Sequence, residues 1–122
     1  MPASPTRVGK EISVFIARMV EQIKYFSEIP WSAKFGGATG NFNAHHAAYP
    51  DIDWNVFADM LVNETLGLQR SWPTTQIEHY DNLAALFDNI RRVNIILIDL
   101  ARDIWMYISM DYFRQKIRKG EI

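Results

Sequence analysis

The sequence predicts an all-α fold, a segment of a bundle of long helices, and three observations carry that expectation. Apolar residues recur at steps of three and four over long stretches, turn-forming residues gather between those stretches, and the last stretch is apolar on every side. A helix with no polar face must be buried all round, so the chain is expected to leave its core unfinished without other subunits or further parts of a longer polypeptide.

In the first stretch Val8, Ile12, Phe15, Ile16, Met19, Ile23 and Phe26 trace one stripe and predict a helix over about residues 5–29. Ser4 or Thr6 can cap it, Pro5 suits its first turn, and Pro30, which lacks a backbone donor, should end or kink it. Residues 32–50 lose the period and collect Gly36, Gly37, Gly40, Asn41, Asn43 and Pro50, so a loop is expected there. Its glycines have neither the lysine-serine/threonine ending nor the preceding strand of a phosphate-binding loop, which leaves a closely packed turn.

The second helix is expected over 53–66. Asp53 is a good N-cap, Ile52 and Phe57 are spaced as a hydrophobic staple, and Gly67 suits the stop. Trp72-Pro73 then requires extended backbone. The third helix is expected over 76–119, opening with Thr75 and Glu78 as a capping box. No glycine or proline intervenes before Gly120, and Lys116, Arg118 and Lys119 suit the negative end of the helix dipole. Such a helix would be about 66 Å long, against about 35 Å for a compact globule of this chain length. Between Val93 and Phe113 its apolar residues wrap the whole circumference.

Composition narrows the function classes. With 122 residues the chain has room for one domain, and with 48% hydrophobic and 22% charged residues it has the balance of a folded protein. A formal net charge of -1 gives no field to draw in nucleic acid or an anionic membrane. There is no cysteine, which removes disulfides and thiolate chemistry, and the N-terminus lacks a signal peptide's pattern, so a cytoplasmic protein is expected.

Residues with chemistry to offer are few. His45 and His46 are adjacent and His79 is distant, but neighbouring histidines rarely share a metal and helical ligand spacing is missing, so no metal site is assigned. Ser71 and the histidines form no local signature of a nucleophilic triad, and no catalytic residue is assigned. Asp99, Arg102, Asp103 and Asp111 have the spacing of helix-stabilising or interhelix ion pairs. Thr74-Thr75-Gln76-Ile77-Glu78 joins a loop to a helix start, where free backbone donors and the dipole suit an anion.

Several blocks, taken in order, resemble the adenylosuccinate lyase family, in the branch typical of many bacteria. They are Pro2-Ala3-Ser4-Pro5-Thr6 with Gly9-Lys10-Glu11, then Lys34-Phe35-Gly36-Gly37-Ala38-Thr39-Gly40-Asn41-Phe42-Asn43-Ala44-His45, and Ala47-Ala48-Tyr49-Pro50-Asp51-Ile52-Asp53-Trp54. Thr74-Thr75-Gln76-Ile77-Glu78 and Ile96-Leu97-Ile98-Asp99 through Arg102-Asp103-Ile104-Trp105 complete the set. The resemblance implies the superfamily shared with fumarase, aspartase and argininosuccinate lyase, in which long helices of four subunits form one bundle, so a homotetramer is implied for the intact enzyme. It implies β-elimination of fumarate from succinylated purine nucleotides, without metal or organic cofactor, by a general base and a general acid.

Both catalytic blocks fall outside the matching positions. Pro2-Ala3 matches the tail of the family's acid-histidine block, and the base-serine loop would follow Lys119-Gly120-Glu121-Ile122. The substrate-binding residue that the resemblance carries over is Gln76. Where the family branch reads Glu-Pro-His-Asp, this chain has Glu78-His79-Tyr80-Asp81, and Pro30-Trp31 interrupts a stretch that is otherwise helical. The reading is therefore a central lyase fragment, expected to be inactive by itself. Its alternatives are a non-catalytic helical oligomerisation module or another fumarate-releasing lyase of the superfamily.

Overall fold

A computed structural model describes residues 3–116 and 118–120. Pro2 of the Pro2-Ala3 pair, Ile117 within the predicted third helix, and the Glu121-Ile122 end lie outside the described residues. The fold is mostly helical: α1 (Val8–Glu28), β1 (Ser32–Ala33), α2 (Asn43–Ala48), α3 (Trp54–Asp59) continuing into a π-helical turn (Met60–Thr65), β2 (Gln69–Arg70) and α4 (Asp81–Ser109). The chain divides into two compact units, one of residues up to Tyr25 and from Asn89 onward, the other spanning Phe26–Asp88.

In the first unit α1 and α4 run antiparallel. Arg18 reaches Asp99 at 3.3 Å, while Asn89 Nδ2 donates to Gln22 O at 3.2 Å and Arg92 Nε to Gln22 Oε1 at 3.1 Å. On α1 the half-buried line is Ile12, Phe15, Met19 and Gln22, and on α4 the covered line is buried Asn89 and Ile96 with half-buried Val93, Leu100, Ile104 and Tyr107. Both lines follow the steps of three and four that bring side chains to one helix face. The apolar residues beside them remain open to solvent: Ile16 is 60% exposed, Ile98 55% and Trp105 74%. The expected stripe on α1 is thus wider than the surface that covers it, and α4 is covered along one line only.

The third helix is shorter than the periodicity implies. It opens at Asp81 because Tyr80 takes the left-handed conformation (φ 64°) and serves as the turn, its carbonyl accepting from Ala84 N at 2.8 Å. It stops at Ser109 because Asp111, at φ 61°, occupies the left-handed position just past the helix. Asp111 N donates to Ile108 O at 3.1 Å and Tyr112 N to Tyr107 O at 2.9 Å, the paired bonds of a Schellman stop. The Tyr107 and Tyr112 rings meet at 6.4 Å and complete its apolar contact. Lys116, Arg118 and Lys119 therefore do not cap a helix.

The second unit holds the loop-rich part. Residues 32–50 contain β1 and α2 rather than an unbroken loop, and β1 pairs in parallel with β2 through Ser32 with Gln69 and Ala33 with Arg70. Asp53 caps α3 as expected, its Oδ1 accepting from Asn55 N at 3.0 Å and Val56 N at 3.1 Å. Gly67, at φ 65°, follows the π-helical turn. Phe42, Trp54 and Ala58 form the buried centre, with Phe35 and Phe57 against them. The Arg70 side chain, only 4% exposed, reaches Asp59 Oδ1 at 3.0 Å and Asn55 O at 2.9 Å, and its guanidinium lies 5.5 Å from the Phe42 ring centroid. A paired, stacked guanidinium of this kind joins β2 to α3 without leaving a lone buried charge.

Candidate functional site

Gln76 lies in the second unit, in the loop between β2 and α4, five residues before the helix starts. Because Tyr80 and Asp81 make the helix entry, the capping box read for Thr75 and Glu78 does not form, and Gln76 is not at a helix N-terminus. The dipole argument for an anion at Gln76 falls with it. Another set of contacts fixes the segment.

The first is a close approach of two backbones. Gly40 sits at φ 80° with its α-carbon against Thr74 and Thr75, and a Cβ placed there would fall 2.0 Å from Thr74 O. Only glycine tolerates both the conformation and the contact. The Gly36–Phe42 turn that presents Gly40 is closed by Phe42 N donating to Gly36 O at 2.9 Å. It is backed by Phe35 and Phe42, whose rings meet at 5.8 Å.

The second contact is a pair of hydrogen bonds from a charged donor. Lys34 Nζ donates to Gln76 O at 2.8 Å and also to Gly37 O, so one ammonium ties the glycine turn to the residue that the resemblance singles out. Hydrogen bonds from a charged donor are about twice as strong as neutral ones. The third anchor is Glu78. Its Oε1 accepts from Ser71 Oγ at 2.6 Å and Ser32 Oγ at 3.1 Å, and its Oε2 accepts from Tyr80 N. The Ser71 hydroxyl, then the Tyr80 amide, hold the carboxyl below the usual glutamate value. A cleft beside these anchors is lined by Pro30, Trp31, Ser32, Lys34, Glu78 and Leu83.

The three histidines are not brought together. His45 is set edge-on among Phe35, Phe42 and Trp54, with ring centroids at 5.5, 5.5 and 4.8 Å, while His46 and His79 are exposed elsewhere. Among the described residues no group of three His, Asp or Glu side chains is placed to hold a metal. Ser71, which shows no triad signature in the sequence, donates to Glu78. Of the α4 charges, Asp99 pairs with Arg18 across the two helices and Asp111 lies past the helix end. Lys34 and Ser32 have no local motif; their contacts to Gln76 and Glu78 span 42 and 46 residues of sequence.

What this arrangement offers is a loop pinned at Gln76 O and again two residues later, which carries an exposed glutamine side chain. An uncharged amide can both donate to and accept from a polar ligand. The family model described as Lyase matches residues 1–122, and the chain belongs to that family. Within it, adenylosuccinate lyases are similar over 99% of this chain: that of Dictyostelium discoideum is 57% identical, that of Escherichia coli (strain K12) 46% and that of Vibrio cholerae 45%. The chain spans 26% of the length of these relatives. Among the described residues no helix is long and apolar enough to cross a membrane.

Proposed function

We propose that this chain is the central helical segment of an adenylosuccinate lyase, which releases fumarate from a succinylated purine nucleotide, and that Gln76 binds that substrate. The observation that carries the reading is the exposed Gln76 on a doubly anchored loop, in a chain of the lyase family similar to adenylosuccinate lyases from end to end. The elimination needs a base for the proton beside a carboxylate and an acid for the leaving nitrogen, and the resemblance puts both in blocks outside this chain. The segment's own part is to hold substrate in register and to supply long helices to a bundle of four subunits. Each positioned acid or base contributes about 10²- to 10⁴-fold, so the isolated segment is expected to release no fumarate.

Steady-state fumarate release from a full-length lyase carrying this segment tests the assignment. Adenylosuccinate is expected to turn over, while argininosuccinate, malate and aspartate are not. Gln76→Ala should lower kcat/KM by about ten- to two-hundredfold at an unchanged melting temperature, the size of one hydrogen bond to a charged group. An unchanged kcat/KM with a lowered melting temperature would make Gln76 a structural residue. Preference for another succinyl or malate-like substrate would move the chain to a different branch of the family, and no turnover at all would leave a helical assembly module.

A further inference from the structure

We propose that Lys34 is a positioning residue for the reaction: its ammonium fixes the backbone at Gln76 and so sets where the glutamine amide meets substrate. The inference rests on the role proposed for Gln76. Lys34 stands just after the β1 strand and donates to Gln76 O at 2.8 Å, across 42 residues of sequence, while the same nitrogen bonds Gly37 O. Among the described residues no other hydrogen bond reaches residue 76 itself; Gly40 presses on Thr74 and Thr75 before it, and Glu78 is held by Ser71, Ser32 and Tyr80 after it. The flanking anchors fix the path of the loop. The ammonium fixes the peptide plane from which the glutamine side chain departs.

Neither partner of Lys34 is a carboxylate, so the ammonium is not held here by an ion pair. A neutral side chain of the same length would fill the space and lose both bonds. Misplacing a substrate contact by about an ångström costs as much as a hundredfold in rate, which sets the effect to look for.

The test is a double-mutant cycle on kcat/KM in a full-length lyase carrying this segment. Lys34→Met should lower kcat/KM by about ten- to a hundredfold. In a Gln76→Ala background the same substitution should change it by less than about twofold, because the group that Lys34 positions is already gone. Lys34→Arg, which keeps charge and donors, should recover most of the loss, and the melting temperature of each variant reports whether the fold is intact. If Lys34→Met does not fold, Lys34→Gln, with an amide donor on a shorter stem, carries the same cycle. Equal losses in both backgrounds would show that Lys34 acts separately from Gln76, and no loss would show that the bond is idle; either overturns the inference while leaving Gln76 as the substrate residue. A Gln76→Ala variant of full activity would instead overturn the function proposed for Gln76, and this inference with it.

Discussion

At the scale of single residues, Glu78 joins one partner distant in sequence, Ser32, to two nearby ones, Ser71 and Tyr80. Its carboxylate takes a hydroxyl from Ser32, a hydroxyl from Ser71 and an amide from Tyr80, joining β1, the end of β2 and the entry to α4. All three donors favour the charged form, so its pKa is depressed from 4.5. A depressed folded pKa means that the stabilisation is fully present above the unfolded value, near pH 4.5, and is lost as pH falls below it through the folded value. Melting temperatures from about pH 7 to about pH 3 should therefore fall for the native chain, and Glu78→Gln should be less stable at neutral pH with a shallower fall. A variant with the same pH profile as the native chain would show that Glu78 is not a source of the acid sensitivity.

The sequence paired Glu78 with Thr75, which are three apart and followed by a helical pattern. That pattern could not show Tyr80 taking a left-handed turn, because a tyrosine is an uncommon occupant of that region. Asp53, by contrast, was legible: its cap needs only its own backbone neighbours at Asn55 and Val56. Lys34 was not, since both of its acceptors are backbone carbonyls, which every residue has.

Among elements, α1 was legible from its apolar stripe, α3 from its Asp53 cap and Gly67 stop, and α4 from a long apolar run without glycine or proline, while their ends depended on whether a stop carries a residue-type signal. Pro30 and Gly67 mark theirs in the sequence. α4 ends on Asp111, one of the few residues besides glycine and asparagine that visit the left-handed region with any ease, and an aspartate in a helical pattern gives no warning. The two-residue pairing of β1 with β2 is too short to leave an alternating pattern. The docking of the Gly36–Phe42 turn on Thr74 and Thr75 was half legible: a turn was expected, its partner was not.

Gly40 makes that docking testable. Gly40→Ala meets both a left-handed conformation, worth about 1–3 kcal/mol, and a carbonyl 2.0 Å from the new methyl, whereas Gly67→Ala meets a similar conformation with nothing within 4 Å. Denaturant titration should find Gly40→Ala the more destabilised by at least about 1 kcal/mol. Equal losses would mean that the two loops can part at little expense.

For the whole molecule, the central claim is that these helices are part of a core shared between copies. On α1, Val20 and Ile23 are 60% and 62% exposed, and on α4 Phe87 is 61% exposed, beside half-buried lines that the chain itself covers. Apolar surface of this extent on consecutive turns of two long helices is what a subunit of a bundle presents before assembly. The most direct measurement is the mass of the purified chain by light scattering after gel filtration, over a range of concentrations. The account predicts a discrete assembly of several chains, four in the bundle that the resemblance implies, and a well-behaved monomer at every concentration would contradict it.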